Sequence, residues 1–220
     1  MHKITIFILT ASLLFATAIP AQAWKSVQSG DRNFERAWRA YSSLQTDKAD
    51  GYFSKSAAAY SDALKEDPPS RTARFPSTLA KAGISFYYAA RYQECVDTMK
   101  LALSRDKRMW EPTLYTALSY ARLGDSENTI KTLENFVTSL SSQRIISDAA
   151  ALQIKALEAG SASPEAIADT LDTATQKQFI ENISRNNSPR DVGLTAERCN
   201  GTYWWRRNMA PCHSSGIVSD

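Results

Sequence analysis

Residues 79–103 read LAKAGISFYYAARYQECVDTMKLAL, and residues 113–137 read TLYTALSYARLGDSENTIKTLENFV. The two stretches align at a shift of 34 residues. Gly83 then falls on Ala117, Phe86 on Tyr120, Val96 on Ile130, Met99 on Leu133 and Leu103 on Val137. Small meets small and apolar meets apolar, at the three- and four-residue steps of one helix face. Self-similarity at this period marks stacked units, each of which buries its apolar face only against a neighbour.

The same periodicity extends outward. From Asp31 to about Arg185 the chain is rich in helix-forming residues and poor in strand signals. Phe34, Trp38, Tyr41 and Leu44 mark one stripe, and Phe53, Ala57, Tyr60 and Leu64 a second. Pro68 and Pro69 end that second helix. Further helices are predicted over about Ser77–Ala90, with Ser77 as N-cap, and over Tyr92–Ser104, Glu111–Leu123, Ser126–Leu140, Ile145–Ala159 and Pro164–Arg185. Gly124 and Gly160 are placed to close helices in the left-handed conformation. Ser163 followed by Pro164 is a cap and first-position pair.

This pattern resembles the tetratricopeptide repeat. One unit reads Leu79-x-x-Ala82-Gly83-x-x-Phe86, then Tyr92-x-x-Cys95-x-x-x-Met99-x-x-Ala102. The next reads Thr113-x-x-Thr116-Ala117-x-x-Tyr120, then Gly124-Asp125, Thr129-x-x-x-Leu133 and Phe136. An earlier, degenerate unit spans Arg32 to Glu66. Both clear units lack the family's closing proline and its Trp, and Pro164 falls where a mid-helix residue should match. The fourth unit is therefore expected to be irregular or a capping helix pair. An ordinary helical bundle would share the same core residues but have no continuous groove.

The resemblance implies an all-α fold, a right-handed superhelix of antiparallel helix pairs over residues 24–185. It also implies a concave face lined by the first helix of each unit. By that geometry Ile84, Tyr87, Tyr88, Leu114, Leu118 and Arg122 face the groove, with Ala80 and Ala121 beside them. Tyrosine and arginine are enriched at protein interfaces, and a peptide or helix captured there is the expected ligand.

Residues 186–220 change character after Asn186-Asn187-Ser188-Pro189. Cys199 and Cys212 flank a turn-rich loop, so a local disulfide is the natural reading in an exported protein. Cys95, at a small position of its helix, reads as a core thiol. Between the tail cysteines lie Tyr203, Trp204, Trp205, Arg206 and Arg207. Either these aromatics fold back to cover the last repeat, or they form an exposed clamp for a peptide, glycan or membrane surface. The need to cover the last helix pair favours the first. The second carries the alternative function, a cell-wall or carbohydrate-binding protein of the envelope.

At the other end, Lys3 precedes an apolar run, Ile4 to Ile19, closed by Pro20 and by Ala21-Gln22-Ala23. This is the form of a secretory signal over residues 1–23, with the mature chain starting at Trp24. The run of about 16 residues is short of the roughly 20 needed to span a bilayer, and no later segment is as apolar. Cleavage removes His2 and leaves His213 alone, which excludes metal sites built on several histidines.

The whole-chain composition agrees with a globular protein: 220 residues, 43% hydrophobic, 22% charged, net charge +3. That charge is too small to imply a nucleic-acid partner. No cofactor or metal is expected. Cys212-His213 lacks the haem-attachment spacing, and Cys199, Cys212 and His213 are one ligand short of a zinc site. No phosphate-cradling loop, nucleophile elbow or acid–base pair stands out, so the chain is not expected to be an enzyme. The expectation is a periplasmic, TPR-like adaptor or assembly factor of the cell envelope that binds a protein partner.

Overall fold

Four turns of one design organise the chain. The computed structural model describes residues 20–107, 109–139 and 143–186. Leu44, Ala90, Gly124 and Gly160 have φ of 59°, 57°, 75° and 64°. After each, the next amide donates to the carbonyl five residues back: Gln45 to Ala40 at 2.9 Å, Arg91 to Phe86 at 2.8 Å, Asp125 to Tyr120 at 3.0 Å and Ser161 to Ala156 at 2.9 Å. A left-handed residue followed by this bond satisfies carbonyls orphaned at a helix end and turns the chain back.

Each turn joins a hairpin of two helices. The pairs are α1 (Pro20–Ser42) with α2 (Thr46–Lys65), α3 (Pro76–Tyr88) with α4 (Tyr92–Arg105), α5 (Glu111–Arg122) with α6 (Ser126–Ser139), and α7 (Arg144–Glu158) with α8 (Pro164–Asn186). Among the described residues there is no strand, and no helix is long and apolar enough to cross a membrane. The fold is all-α, with its helices packed in pairs, and it is compatible with a helical repeat.

One side-chain cap stands where the sequence puts it, at Ser163, and Asp125 supplies another. Ser163 Oγ accepts from the Ala166 amide at 3.3 Å, and Asp125 Oδ1 from that of Asn128 at 3.0 Å. Three readings need correction. The helix α3 begins at Pro76 with Phe75 as its N-cap, so Ser77 is not the cap; proline suits the first helical position because its missing N–H is not needed there. Leu44 does not extend the apolar stripe of α1, because the helix ends at Ser42 and the turn leaves Leu44 65% exposed. The first helix also starts well before Arg32, and Val27 packs with Ala63 and Ala73. Cleavage after Ala23 would remove only the first turn of α1. Residues 1–19 lie outside the described residues.

Close approach between paired helices explains the small residues. A Cβ on Gly83 would lie 2.6 Å from Met99 Sδ on α4. One on Gly30 would lie 2.6 Å from the Tyr60 ring on α2, and Ser56 Oγ donates to the Gly30 carbonyl at 3.0 Å. Phe34, Phe53, Tyr60, Leu79, Ile84, Met99, Leu114, Leu118 and Phe136 fill the core with under 2% exposure.

The fourth hairpin is turned around. In the first three, the leading helices α1, α3 and α5 pack side by side, and α2, α4 and α6 back them. The leading helix of the last hairpin, α7, packs on α6 as α3 does on α2 and α5 on α4, but it makes no comparable contact with α5 in the leading row. The second helix, α8, enters the leading row instead, packing on α5 and reaching α1. Ring contacts carry this closure: Phe179 meets Trp38 edge-on at 4.4 Å and Trp110 at 5.8 Å. So α1, α3, α5 and α8 form a closed ring of four helices around one core.

Candidate functional site

Six side chains from four helices meet at one end of that ring. Tyr41 ends α1, Tyr87 and Tyr88 end α3, Tyr115 lies in α5 and Arg122 ends it, and Asp172 lies in α8. The C-termini of the three leading helices therefore come to one level.

Asp172 is the hub. Its Oδ2 accepts from the Tyr87 hydroxyl at 2.6 Å and from Arg122 Nη2 at 2.8 Å. Arg122 Nε donates to the Tyr87 hydroxyl at 3.3 Å, and Nη2 also meets Asp169 Oδ1 at 2.8 Å. The Tyr41 hydroxyl donates to the Asp172 backbone carbonyl at 3.4 Å, and Gln176 Nε2 donates to the Tyr41 carbonyl at 3.1 Å. Tyr88 and Tyr115 share a contact between hydroxyls at 3.4 Å. Asp172 Oδ1 has no hydrogen-bond partner among the described residues.

Burial raises the Asp172 carboxyl above its usual value, against the opposing pull of the Tyr87 and Arg122 bonds. Burial likewise pushes the Tyr87, Tyr88 and Tyr115 hydroxyls well above the usual phenol range. They are held as neutral donors, which suits a latch and does not suit proton transfer near neutrality.

The structure does bring together Tyr87, Tyr88 and Arg122, but α8 covers them. Ile84, Leu114 and Leu118 are 0% exposed and Tyr87 is 4% exposed. Tyr88 stacks on Phe53 at 4.5 Å, toward α2. The expected concave face is thus present as packed interior: α8 occupies it with Ile167, Leu171 and Phe179, all at 2% exposure or less. The partner-binding set Ile84, Tyr87, Tyr88, Leu114, Leu118 and Arg122 offers no open groove in this arrangement.

Cys95 is a core thiol at 0% exposure, donating to the Tyr115 carbonyl at 3.7 Å and pushed up to about 12 by burial. Cys199, Cys212, Tyr203, Trp204, Trp205 and Arg206 lie outside the described residues, and with them the disulfide and the carbohydrate-binding loop. Among the described residues no group of His, Cys, Asp or Glu is arranged to hold a metal ion.

Sequence reading missed Asp169 and Asp172. The available signal was their position: they sit three residues apart beside the apolar stripe Ile167, Leu171 and Phe179, and a carboxylate beside such a stripe needs a cation. No protein-family model, curated protein or solved structure gives a match to this chain.

Proposed function

We propose that the chain is an exported, TPR-like adaptor or assembly factor of the cell envelope that binds a protein partner. The observation that carries this reading is the array of hairpins, closed four times by the same turn, two of whose units repeat at 34 residues. Such arrays present extended, rigid surfaces and recur as binding scaffolds. The export half of the reading rests on Lys3 to Ala23.

With α8 in the ring, the partner surface moves to the edge where the turns of the first three hairpins line up. Leu44 and Leu123 stand there at 65% and 46% exposure, and exposed leucines at ordered helix ends suit partner contact. The test is crosslinked capture from the exported fraction, comparing wild type with Leu44→Asn plus Leu123→Gln. Both side chains are exposed, so the variant should fold. One dominant partner, reduced at least tenfold by the double change, supports the reading. A partner retained undiminished would refute the edge, and no partner at all would refute the adaptor.

A further inference from the structure

The hairpin of α1 and α2 carries a second feature that the adaptor reading leaves unused. A cleft of about 290 Å3 opens beside its turn. Arg36 and Arg39 come to it from α1, Ser43 and Gln45 from the turn, and Lys48 and Tyr52 from α2. Three cations line it and no carboxylate does.

The charge is largely uncompensated. Among the described residues neither Arg36 nor Lys48 has an ion-pair partner. Among the described residues Arg39 pairs with Glu35 alone, at 3.9 Å between side chains 73% and 56% exposed, which is a weak interaction. The Arg36 guanidinium lies 5.9 Å from the centre of the Tyr52 ring, which gives it a platform. Beside Lys48 is the first turn of α2, whose amides receive no side-chain cap from Gln45. That turn adds a partial positive charge, which the exposed Asp47 in the same turn offsets in part. What sets Arg36, Arg39 and Lys48 apart is their convergence on one cleft; Lys81, Arg91 and Arg122 are instead each held by a carboxylate.

The geometry points to a phosphate site. Two guanidinium forks and one ammonium converge on the cleft, with the exposed Glu35 and Asp47 carboxylates outside its lining, and that donor set matches the several oxygens of a phosphate, or the two phosphodiesters of one lipid headgroup, better than a single carboxylate. Guanidinium forks pair with phosphate oxygens two at a time, while Lys48 acts as a point charge. The hydroxyls of Ser43 and Tyr52 and the Gln45 amide add neutral donors. The volume is below that of an ordinary cofactor pocket, so only the phosphate-bearing part of a ligand enters.

The experiment uses the full chain with two probes: inorganic phosphate, followed by amide shifts, and phosphatidylcholine vesicles with or without cardiolipin, followed by co-sedimentation. Saturable shifts at Gln45 to Lys48 with phosphate alone identify a soluble phosphate ligand. Sedimentation only with cardiolipin identifies a headgroup. Either result supports the site if Arg36→Gln with Lys48→Gln weakens binding about 25-fold, at roughly fivefold per cation near an anionic surface. The matched control, Lys131→Gln with Lys155→Gln, removes the same charge from exposed positions elsewhere and should stay within twofold. No saturable response to either probe would overturn the site, as would equal loss in both double variants or equal sedimentation without cardiolipin. All of these leave the protein-partner reading untouched, because Leu44 and Leu123 are unaltered.

Discussion

Replacing Arg122 with alanine tests whether α8 is latched into the ring. The guanidinium makes three contacts of unequal worth. Its pair with Asp169 involves a carboxylate 70% exposed, and such pairs contribute about 0–1 kcal/mol. Its pair with Asp172 joins side chains each 23% exposed. Breaking a fully buried pair costs about 3–5 kcal/mol, chiefly because the surviving charge is stranded. Discounting for the residual exposure, about 2 kcal/mol is reasonable here. The bond to Tyr87 is long, at 3.3 Å, and adds little. The expected loss is therefore about 2–3 kcal/mol, or about 5–10 °C in melting temperature for a chain of this size.

The origin of that loss is checked by a double-mutant cycle in urea. Asp172→Asn keeps an acceptor for the Tyr87 hydroxyl and removes the stranded charge. In the Arg122→Ala background it should recover about 1–2 kcal/mol, and the coupling is that recovery plus whatever Asp172→Asn costs alone, so at least about 1–2 kcal/mol. A loss below about 1 kcal/mol for Arg122→Ala would refute the reasoning. So would effects that add to within about 0.5 kcal/mol, since that is the behaviour of independent sites.

Three further outcomes follow from the geometry. Gly30→Ala should lose about 1–2 kcal/mol net, because overpacking against the buried Tyr60 ring outweighs a helix-propensity gain of about 1 kcal/mol; Gly83→Ala should lose less, since Met99 is flexible, and thermal melts showing the reverse order would refute the assignment. Leu44→Gly and Ala90→Gly should each raise the melting temperature by about 2–4 °C, because each relieves roughly 1 kcal/mol of left-handed strain; an unchanged or lower value would count against the four-turn account. The raised Asp172 carboxyl favours the protonated form in the folded chain, so wild type should gain stability relative to Asp172→Asn as pH falls from 7 toward 4. That gain is complete below the unfolded aspartate value of about 3.9 and is lost as pH rises through the higher folded value; melts showing the opposite trend would contradict the burial.

The helices and their pairing were legible because they depend on local rules. The apolar period, Gly124 and Gly160 as left-handed closures, and Ser163 before Pro164 each act within a few residues. Two of the four equivalent turns were not legible, since Leu44 and Ala90 take a conformation that their side chains disfavour. The turn is imposed there by the packing of α1 on α2 and of α3 on α4. The candidate site was half legible. Tyr87, Tyr88 and Arg122 do come together, as the resemblance implies. What covers them depends on the layer that α8 joins, and the stripe of Ile167, Leu171 and Phe179 would look the same in either layer. The polar residues flanking the stripe distinguish the two. Asp172 and Gln176 need donors and an acceptor, and the ring supplies them as Tyr87, Arg122 and the Tyr41 carbonyl.

That inversion bears directly on how such a scaffold can bind. A peptide entering the face between α1, α3 and α5 must first displace α8. Doing so exposes Ile167, Leu171 and Phe179, each buried to 2% or less, at about 1.5–3 kcal/mol apiece. Loss of the Arg122 latch adds about 2–3 kcal/mol. The total, on the order of 7–12 kcal/mol, is comparable with the whole stability of a typical domain. A ligand would have to replace those contacts before gaining any net affinity. Capture in that face is thus hard to separate from unfolding, and a double change at Tyr88 and Arg122 would read out stability before binding. Changes at Leu44, Leu123, Arg36 or Lys48 carry no such penalty, because these side chains are exposed. Binding that survives loss of the latch but fails on the edge or in the cleft would locate function on the outside of the ring.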